Sequence, residues 1–310
     1  MRKHINDERR RTRNGMRKQK SWKRYLRNLI LVLAAVCLLF CNGLVQFAMV
    51  RSGGPSAPAS TAGGERVTIQ SNDGLQLVGQ YWAAGKGQHK WVIFVHGYQS
   101  SKELMLAAMG ERYQKQGYHV LAIDQRAHGE SEGKFIGMGW LERKDLLQWI
   151  AWVCAQDAKA RVVLHGISMG GATVMMTAGE EALPANVKAV VEDCGYTSAW
   201  DIFAYQLHSR FHLPAMPVLY LCEGIAQLRT GVNLHQASAL KQVENAKVPI
   251  LLIHGTADTF VPVDMVQRLY DAASGEKALL LVEGGVHALS RQAAPDLYYD
   301  TVFQFLREHV

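Results

Sequence analysis

The sequence predicts an α/β fold in which a mostly parallel, eight-stranded sheet is covered by helices on both faces. Two observations predict this fold. From Arg66 onward, short apolar runs typical of buried strands alternate with stretches of helical periodicity. The first two strands, Arg66–Ser71 and Leu75–Trp82, flank Asn72-Asp73-Gly74, which is a strong signal for a β-hairpin. An opening hairpin followed by βα units implies a mostly parallel sheet.

The other strands and helices follow in alternation along the chain. Strands are predicted at Trp91–Val95, His119–Ile123, Arg161–Leu164, Val187–Val191, Pro249–His254 and Ala278–Glu283. Helices are predicted at Lys102–Gln116, Met138–Ala155, Met169–Glu181, Val263–Ala273 and Pro295–His309.

One stretch breaks this alternation, between the sixth and seventh strands. Residues 199–248 contain no clear strand, are rich in aromatic residues, and show helical periodicity over Trp200–His208 and Pro217–Leu228. An insertion at this place lies over the carboxyl ends of the strands, where ligands bind in open α/β sheets. We interpret it as a helical cap with an apolar substrate pocket. The alternative is a pair of helices that simply cover the sheet.

The formal charge of +7 is concentrated at the N-terminus. Residues 1–27 contain twelve Lys or Arg and two acidic residues, whereas residues 28–310 contain 22 basic and 25 acidic residues. The remainder of the chain is therefore slightly acidic, and the high isoelectric point gives no support for nucleic-acid binding. We interpret residues 1–27 as a basic cytoplasmic tail.

An apolar segment follows the basic tail. The run from Leu29 to Val50 has few polar interruptions and as a helix would be about 33 Å long, enough to cross a bilayer core of about 30 Å. We predict a transmembrane anchor at residues 28–50 and a flexible Gly/Ser/Pro/Ala-rich linker at residues 51–64. The alternative is a cleaved signal peptide, because Ala57-Pro58-Ala59 resembles a cleavage site. We favour the anchor, since that site lies 19 residues beyond Phe40.

The cysteines do not suggest a disulfide framework. Cys37 and Cys41 lie in the predicted anchor, which leaves an odd number, Cys154, Cys194 and Cys222, in the domain at residues 65–310. We expect these three to be buried free thiols.

A G-x-S-x-G phrase, Gly166 to Gly170, lies between a predicted strand and a predicted helix. In this setting it indicates a nucleophile elbow, a sharp turn that exposes Ser168 and needs small residues two positions before and after the serine. A serine hydroxyl becomes nucleophilic only when a base accepts its proton. The phrase therefore predicts a base and an orienting acid further along the chain.

Both partners follow, each at the end of a strand. Asp258 comes after the strand Pro249–His254, and His287 comes after the strand ending at Glu283. A histidine can accept and return a proton near pH 7, and a carboxylate fixes its tautomer. We assign Ser168 as nucleophile, His287 as base and Asp258 as acid. Two rival acids are Asp193, which ends the sixth strand, and Asp264, at the start of a helix.

The oxyanion hole is expected to use the backbone N–H groups of Tyr98 and Met169. Met169 begins a helix, where N–H groups and the helix dipole favour an anion, and Tyr98 follows His96-Gly97 at the end of a strand. Other histidines near strand ends are expected to hold loops by hydrogen bonds. Because none has metal-ligand spacing, the sequence predicts no metal and no cofactor.

These phrases together resemble the α/β-hydrolase superfamily over residues 65–310, and most nearly the membrane-anchored BEM46-like serine hydrolases. The phrases that carry the resemblance are His96-Gly97-Tyr98, Asp124-Gln125-Arg126-Ala127-His128-Gly129-Glu130-Ser131, Gly166-Ile167-Ser168-Met169-Gly170-Gly171, His254-Gly255-Thr256-Ala257-Asp258-Thr259-Phe260-Val261-Pro262 and Gly285-Val286-His287. The chain order Ser, Asp, His is the order of this superfamily. One departure is Ala127, where many relatives have glycine.

The resemblance implies a membrane-anchored serine hydrolase that cleaves a carboxylic ester or related acyl bond through an acyl-serine intermediate. The expected partners are a small-molecule or lipid-like acyl substrate and the membrane, reached through the N-terminal helix, and the sequence gives no indication of an oligomeric state. Two alternatives stay open at this point. One is a serine peptidase of the same fold, and the other is a catalytically silent, hydrolase-like binding module.

The predicted topology is directly testable. Because the basic cluster precedes the apolar segment, the positive-inside rule places residues 1–27 in the cytoplasm and residues 65–310 outside the membrane. Protease added to intact cells should remove the C-terminal domain and leave a small membrane-bound fragment. A soluble mature protein that begins near Ser60 would show instead that Ala57-Pro58-Ala59 is cleaved.

Overall fold

The computed structural model describes residues 2–51 and 63–310, with only the backbone described for residues 2–12, 14 and 15. An eight-stranded sheet with the strand order β1-β2-β4-β3-β5-β6-β7-β8 forms its centre. In chain order the strands are β1 (Glu65–Gln70), β2 (Gln76–Trp82), β3 (Lys90–Val95), β4 (His119–Ile123), β5 (Arg161–Ile167), β6 (Val187–Asp193), β7 (Ile250–Gly255) and β8 (Lys277–Val282).

The helices of the described residues are α1 (Arg2–Met49), α2 (Lys102–Met105), α3 (Glu111–Lys115), α4 (Glu142–Gln156), α5 (Met169–Ala178), α6 (Ala199–Phe211), α7 (Val218–Thr230), α8 (Ala239–Val243), α9 (Asp264–Ala272), α10 (Ser290–Ala293) and α11 (Pro295–His309). A π-helical turn, Leu106–Gly110, joins α2 to α3. The predicted helix Lys102–Gln116 is therefore one helical segment with a wider turn at its middle.

The sheet is antiparallel only where the hairpin enters it. Strand β2 pairs antiparallel with β1 and with β4, and every later pairing, from β3 with β4 to β7 with β8, is parallel. The central strands are buried along nearly their whole length, as a sheet covered on both faces requires. The prediction of a mostly parallel, eight-stranded α/β sheet is confirmed.

Some element boundaries differ from the predicted ones for identifiable reasons. Helix α4 begins four residues later than predicted because Met138 and Gly139 have φ angles of 52° and 87°, which do not belong to a right-handed helix. The buried carboxylate of Glu142 accepts hydrogen bonds from the N–H groups of Gly137 and Gly139 and fixes this turn. Strand β5 extends to Ile167 and so leads directly into Ser168.

The N-terminal helix α1 includes a stretch, Met16–Met49, that is long and apolar enough to cross a membrane. Most of this stretch is exposed, but Cys41, Val45 and Met49 are buried against the domain. Much of the predicted linker, with Ala57-Pro58-Ala59, lies outside the described residues.

The predicted cap region folds as helices α6, α7 and α8 between β6 and β7. The hydroxyl of Ser198 accepts a hydrogen bond from the N–H of Asp201 and caps α6, and Ser238 caps α8 in the same way. Helix α7 packs against the end of α1. The inserted segment thus lies between the sheet and the apolar N-terminal helix.

The carboxyl group of Glu192 is buried near the end of β6. One of its oxygens accepts a hydrogen bond of 2.8 Å from the N–H of Gly195, and the other has no hydrogen-bond partner among the described residues. Burial raises the pKa of Glu192 from its ordinary 4.5 to about 8. The folded chain therefore keeps a proton that the unfolded chain releases, and Glu192 makes folding less favourable as the pH rises from 4.5 to 8.

We expect Glu192→Gln to remove this pH-dependent loss, because the amide keeps the acceptor for Gly195 and does not titrate. The melting temperature of the full chain in detergent should fall less between pH 5.5 and pH 8.5 in the variant than in the wild type, by about 2–4 °C for each kcal/mol of stability recovered. Glu181→Gln, at an exposed position, is the control and should behave as the wild type. An equal fall in Glu192→Gln and the wild type would contradict the prediction.

Candidate active site

Ser168 lies in the sharp turn between β5 and α5. Its backbone angles, φ 57° and ψ −116°, place it in a region that residues with a side chain rarely adopt. The N–H of Ser168 donates a hydrogen bond of 2.8 Å to the carbonyl oxygen of Asp193, and its carbonyl accepts one from Ala172. The strained residue is thus fixed by hydrogen bonds on both sides.

The glycines around Ser168 are required by close backbone contacts. A β-carbon at Gly166 would lie 2.1 Å from the carbonyl oxygen of Gly170, and one at Gly170 would lie 2.0 Å from the carbonyl oxygen of Val95. Neither position has room for a side chain. The G-x-S-x-G pattern is therefore explained by the packing of α5 against β3 and β5.

The structure brings Ser168, His287 and Asp258 into one hydrogen-bonded chain. The Ser168 hydroxyl lies 2.9 Å from Nε2 of His287, and Nδ1 of His287 lies 2.7 Å from Oδ2 of Asp258. These three residues come from the end of β5, the loop after β8 and the loop after β7. Both ring nitrogens of His287 are thus used, with Nδ1 directed to the carboxylate and Nε2 to the hydroxyl.

The Asp258 carboxylate is held in its charged form by its surroundings. Its other oxygen, Oδ1, accepts hydrogen bonds of 2.8 and 2.9 Å from the N–H groups of Phe260 and Val261. Burial acts to raise the pKa of Asp258, but the hydrogen bond and charge of His287 and these two N–H groups outweigh it, and the pKa is lowered. Asp258 therefore stays ionised beside His287 at neutral pH.

The rival acids occupy other places. Asp193 ends β6 and is fully buried, and burial raises its pKa to about 6. Its carboxylate forms no hydrogen bond to His287 in the described part of the chain. Asp264 begins α9, where a carboxylate in the first turn favours the helix dipole. The geometry thus pairs His287 with Asp258 and not with either rival.

The loop after β3 runs directly beside the serine. A β-carbon at Gly97 would lie 3.3 Å from the β-carbon of Ser168, so the backbone leading to Tyr98 passes within contact distance. His96, on the same loop, accepts a hydrogen bond from the N–H of Gln125 and directs Nδ1 to the carbonyl of Gly97. Burial lowers the pKa of His96 to about 4, so the ring is neutral at pH 7. Tyr98 follows Gly97 on this loop and Met169 follows Ser168, and their backbone N–H groups stay the predicted oxyanion donors.

The loop after β4 supports this arrangement through a buried ion pair. Nζ of Lys102 lies 2.7 Å from Asp124 and 2.7 Å from Glu130. Ala127, which departs from the glycine of many relatives, has a φ angle of 59° and is buried. This is the left-handed region that glycine adopts without strain. The departure therefore changes the side chain while the backbone keeps a conformation that favours glycine.

An apolar cavity of about 280 Å³ opens beside Ser168, under the cap. Side chains of α6 and α7 form much of its lining, and Arg210 is the only charged one among the described lining residues. Its size is near the lower end of the range for ligand pockets, and its predominantly apolar lining is typical of them. The arrangement offers an apolar ligand a binding place next to a hydroxyl, an imidazole and a carboxylate.

The sequence did not indicate several residues near the site. Leu44, Phe47 and Ala48 of α1 line the cavity, although the sequence predicts only a membrane anchor there. The ring of Phe260 lies 4.7 Å from the ring of His287. Phe260 is two residues after Asp258 in the sequence, and this closeness could have indicated that it lies near the site. Cys194 is buried as a free thiol close to Asp258 and His287.

Two groups of side chains in the described residues are spaced closely enough to hold a metal ion. One group consists of Asp258, His287 and Cys194. Its carboxylate, from Asp258, and its imidazole, from His287, are already hydrogen-bonded to each other. The other is three carboxylates around the ammonium of Lys102, which neutralises them in part. Neither group is interpreted as a metal site, and the absence of a metal or cofactor stays a prediction.

Comparisons with known proteins identify the family of this chain. The family model described as serine aminopeptidase, S33, matches residues 87–198 and 208–292, which is more than half of the chain. The uncharacterized protein YqkD of Bacillus subtilis is 31% identical over 61% of this chain, and the match spans 62% of that protein. The uncharacterized protein Rv2307c of Mycobacterium tuberculosis is 24% identical over 90% of this chain and 95% of its own length.

Solved structures show the same fold. The esterase Pf2001 of Pyrococcus furiosus superimposes with a TM-score of 0.67 and 26% identity, covering 84% of this chain and 98% of the esterase. The acylaminoacyl peptidase of Pyrococcus horikoshii superimposes with a TM-score of 0.62 and 19% identity, covering 86% of this chain and 43% of the peptidase, which shows the fold alone. The superfamily prediction is confirmed, and the narrower resemblance to BEM46-like hydrolases stays a prediction.

The pairing of His287 with Asp258 gives a test of the acid. Asp258→Asn should lower kcat for an ester substrate by about 10⁴-fold, because the amide no longer favours the tautomer with a proton on Nδ1. Asp193→Asn should have a mild effect, since His287 forms its hydrogen bonds with Asp258 and Ser168. Steady-state kinetics with a p-nitrophenyl ester, with circular dichroism to verify folding, would measure both. Reversed results would assign the acid to the end of β6.

Proposed function

The chain belongs to the α/β-hydrolases of the serine aminopeptidase S33 family, and we propose that it is a membrane-anchored serine hydrolase that cleaves a carboxylic ester or related acyl bond. The observation that carries the proposal is the chain of hydrogen bonds from Ser168 through His287 to Asp258 beside an apolar cavity. Family membership supports a hydrolase, and the predominantly apolar lining of the cavity favours an acyl substrate.

In the proposed acylation step, Oγ of Ser168 attacks the carbonyl carbon of the ester while Nε2 of His287 accepts the hydroxyl proton. The carbonyl oxygen becomes an oxyanion, for which the backbone N–H groups of Tyr98 and Met169 are the proposed donors. When the carbon–oxygen bond to the alcohol breaks, the imidazolium returns its proton to the leaving alcohol. The products of this step are the free alcohol and an acyl ester on Ser168.

Deacylation repeats these steps with water. His287 accepts a proton from a water molecule, the resulting hydroxide attacks the acyl carbon, and the proton passes to Oγ as the carboxylic acid leaves. The ionised carboxylate of Asp258 stabilises the imidazolium in both steps. Its lowered pKa supports this role, because a neutral acid would not stabilise the positive ring.

The proposed membrane anchor is the apolar part of α1. Its length and exposed apolar surface support a transmembrane position, and the basic residues that precede it support a cytoplasmic N-terminus. Trp22 and Tyr25 stand exposed at the basic end of the apolar segment, where aromatic residues are common at a membrane surface.

The peptidase alternative takes its support from the family description, and the cavity gives an argument against an aminopeptidase. A site for a peptide N-terminus needs an acidic group to bind the ammonium. The described residues that line the cavity include no acidic side chain, and Arg210 would repel an ammonium. The cavity therefore favours a neutral acyl group. A silent binding module would leave the hydrogen-bonded Ser168 and His287 without a role.

The nucleophile can be tested by activity and by labelling. Ser168→Ala should lower kcat for a p-nitrophenyl acyl ester by about a million-fold, and a fluorophosphonate probe should label the wild type but not the variant. His287→Ala should cost nearly as much, because the two residues act as one unit.

The control for this experiment is Ser290→Ala, which removes a buried serine hydroxyl outside the cavity lining and should retain labelling. Labelling that persists in Ser168→Ala would exclude Ser168 as the nucleophile. Hydrolysis of N-terminal peptide amides in preference to esters would favour the peptidase. A folded wild type that neither reacts with the probe nor turns over either substrate would favour the binding module.

A further inference from the structure

The last two turns of α1 form part of the cavity wall. Leu44, Phe47 and Ala48, which share one helix face at spacings of three and four residues, line the same cavity as Ser168. The hydroxyl of Tyr98 donates a hydrogen bond of 3.2 Å to the carbonyl oxygen of Phe47. The end of the apolar helix is thus joined to the loop that carries a proposed oxyanion donor.

Helices α1 and α7 run side by side in the same direction. The sulfur of Cys41 lies 3.6 Å from the carbonyl oxygen of Val218, at the start of α7. Near the end of α7, Arg229 donates hydrogen bonds of 2.8 and 2.6 Å to the side-chain oxygens of Asn42 and Gln46. The first turn of α7 therefore lies at the level of Cys41, inside the apolar segment of α1.

This level falls within a bilayer placed on α1. About 20 helical residues span the hydrocarbon core, so a span that begins at residue 28, the start of the predicted anchor, ends near Phe47. Cys41 is six residues earlier, or about 9 Å deeper in the membrane. The start of α7, and with it the end of the connection from α6 at residues 211–217, then lies within the leaflet next to the folded domain.

The connection from α6 to α7 has the composition that such a position requires. Residues 211–217 contain no Lys, Arg, Asp or Glu, and Phe211 and Met216 are 51% and 68% exposed. Phe47 of α1 is 73% exposed although it lines the cavity, as Phe211 also does. Both phenylalanines thus line the cavity and are also exposed at the surface. An exposed apolar patch of this kind is typical of a membrane or ligand contact.

We propose that the cavity opens to the bilayer between Phe47 and Phe211 and receives its acyl chain there, and that the end of the anchor helix limits the length of chain that fits. The inference rests on the proposed function and specifies its substrate class as an ester of a long acyl chain dissolved in the membrane. The bilayer is the occupant of the exposed patch because the patch is continuous with the helix that crosses it. In this proposal α1 forms both the membrane span and one part of the cavity wall.

The length limit is tested by a pair of tryptophan substitutions on α1 in the full chain. Ala48→Trp places an indole in the cavity, whereas Leu39→Trp, at a position that is 71% exposed and outside the cavity lining, is the matched control. Each methylene that fits is worth about 0.8 kcal/mol, or about fourfold in binding. If the indole displaces three methylenes, the ratio of kcat/KM for octanoyl over acetyl p-nitrophenyl esters should fall by about 60-fold in Ala48→Trp and stay unchanged in Leu39→Trp.

Turnover of the acetyl ester and fluorophosphonate labelling of Ser168 report whether each variant is folded and whether the proposed function holds. A wild type without either activity would refute the proposed function itself. Active variants with equal chain-length profiles would refute only the role of α1. If Ala48→Trp is inactive on both esters, Leu44→Ala replaces it in the test. Leu44→Ala enlarges the cavity and should raise the preference for longer acyl chains. An unchanged preference would overturn the inference.

Entry from the bilayer is tested by a charge on the connection between α6 and α7. Met216→Glu should weaken the contact of this connection with lipid and lower the rate of hydrolysis of a long-chain ester held in phosphatidylcholine vesicles by about tenfold. The water-soluble acetyl ester should be hydrolysed at the wild-type rate. Leu297→Glu, on an exposed position of α11, is the control and should affect neither substrate. Equal rates of Met216→Glu and the wild type on the vesicle-bound ester would show that the chain does not enter from the bilayer.

Discussion

The arrangement of the site depends on the left-handed backbone at Ser168. A conformation of this kind costs about 1–3 kcal/mol and persists only when the structure around it fixes it. Here the buried strand β5 and the buried helix α5 approach so closely that Gly166 and Gly170 have no room for a side chain. The same approach directs the hydroxyl of Ser168 toward His287 and places the N-terminus of α5 behind it. The close packing of α5 against β5 and the orientation of the Ser168 hydroxyl therefore depend on the same turn.

The loops around the serine are fixed by buried polar groups that keep to one protonation state. Burial lowers the pKa values of His96 and His128 to about 4, so both rings stay neutral and link neighbouring loops through one donor and one acceptor nitrogen. Lys102 and Asp124 form a buried ion pair, and the Asp124 carboxylate also accepts hydrogen bonds from the backbone N–H groups of Lys102 and Glu130. Loss of Lys102 would leave the buried carboxylate of Asp124 without its ion-pair partner. The loops therefore keep the same hydrogen bonds near neutral pH.

Local sequence patterns determine the sheet and the turn that carries the serine. Buried parallel strands are continuous apolar runs, and the turn at Ser168 requires glycines at fixed spacing, so the sheet and the positions of Ser168, Asp258 and His287 could be predicted. The contribution of α1 to the cavity could not, because Leu44 and Ala48 are apolar in either surrounding and no local pattern separates a lipid contact from a protein contact. The start of α4 was missed since the left-handed angle of Met138 has no signature in that residue type.

The orientation of α1 on the domain follows from polar groups within an apolar helix. In the membrane position proposed for α1, two apolar helices gain little from contact, since lipid tails are as apolar as their side chains. Close approach and hydrogen bonds must therefore set the rotation of α1. The small side chains of Cys41 and Cys222 let the backbones approach, and Arg229 bonds to Asn42 and Gln46 one turn apart. These contacts turn Ala48 toward the cavity while Leu39 stays exposed, so the polar contacts between two apolar helices determine which face of α1 lines the cavity.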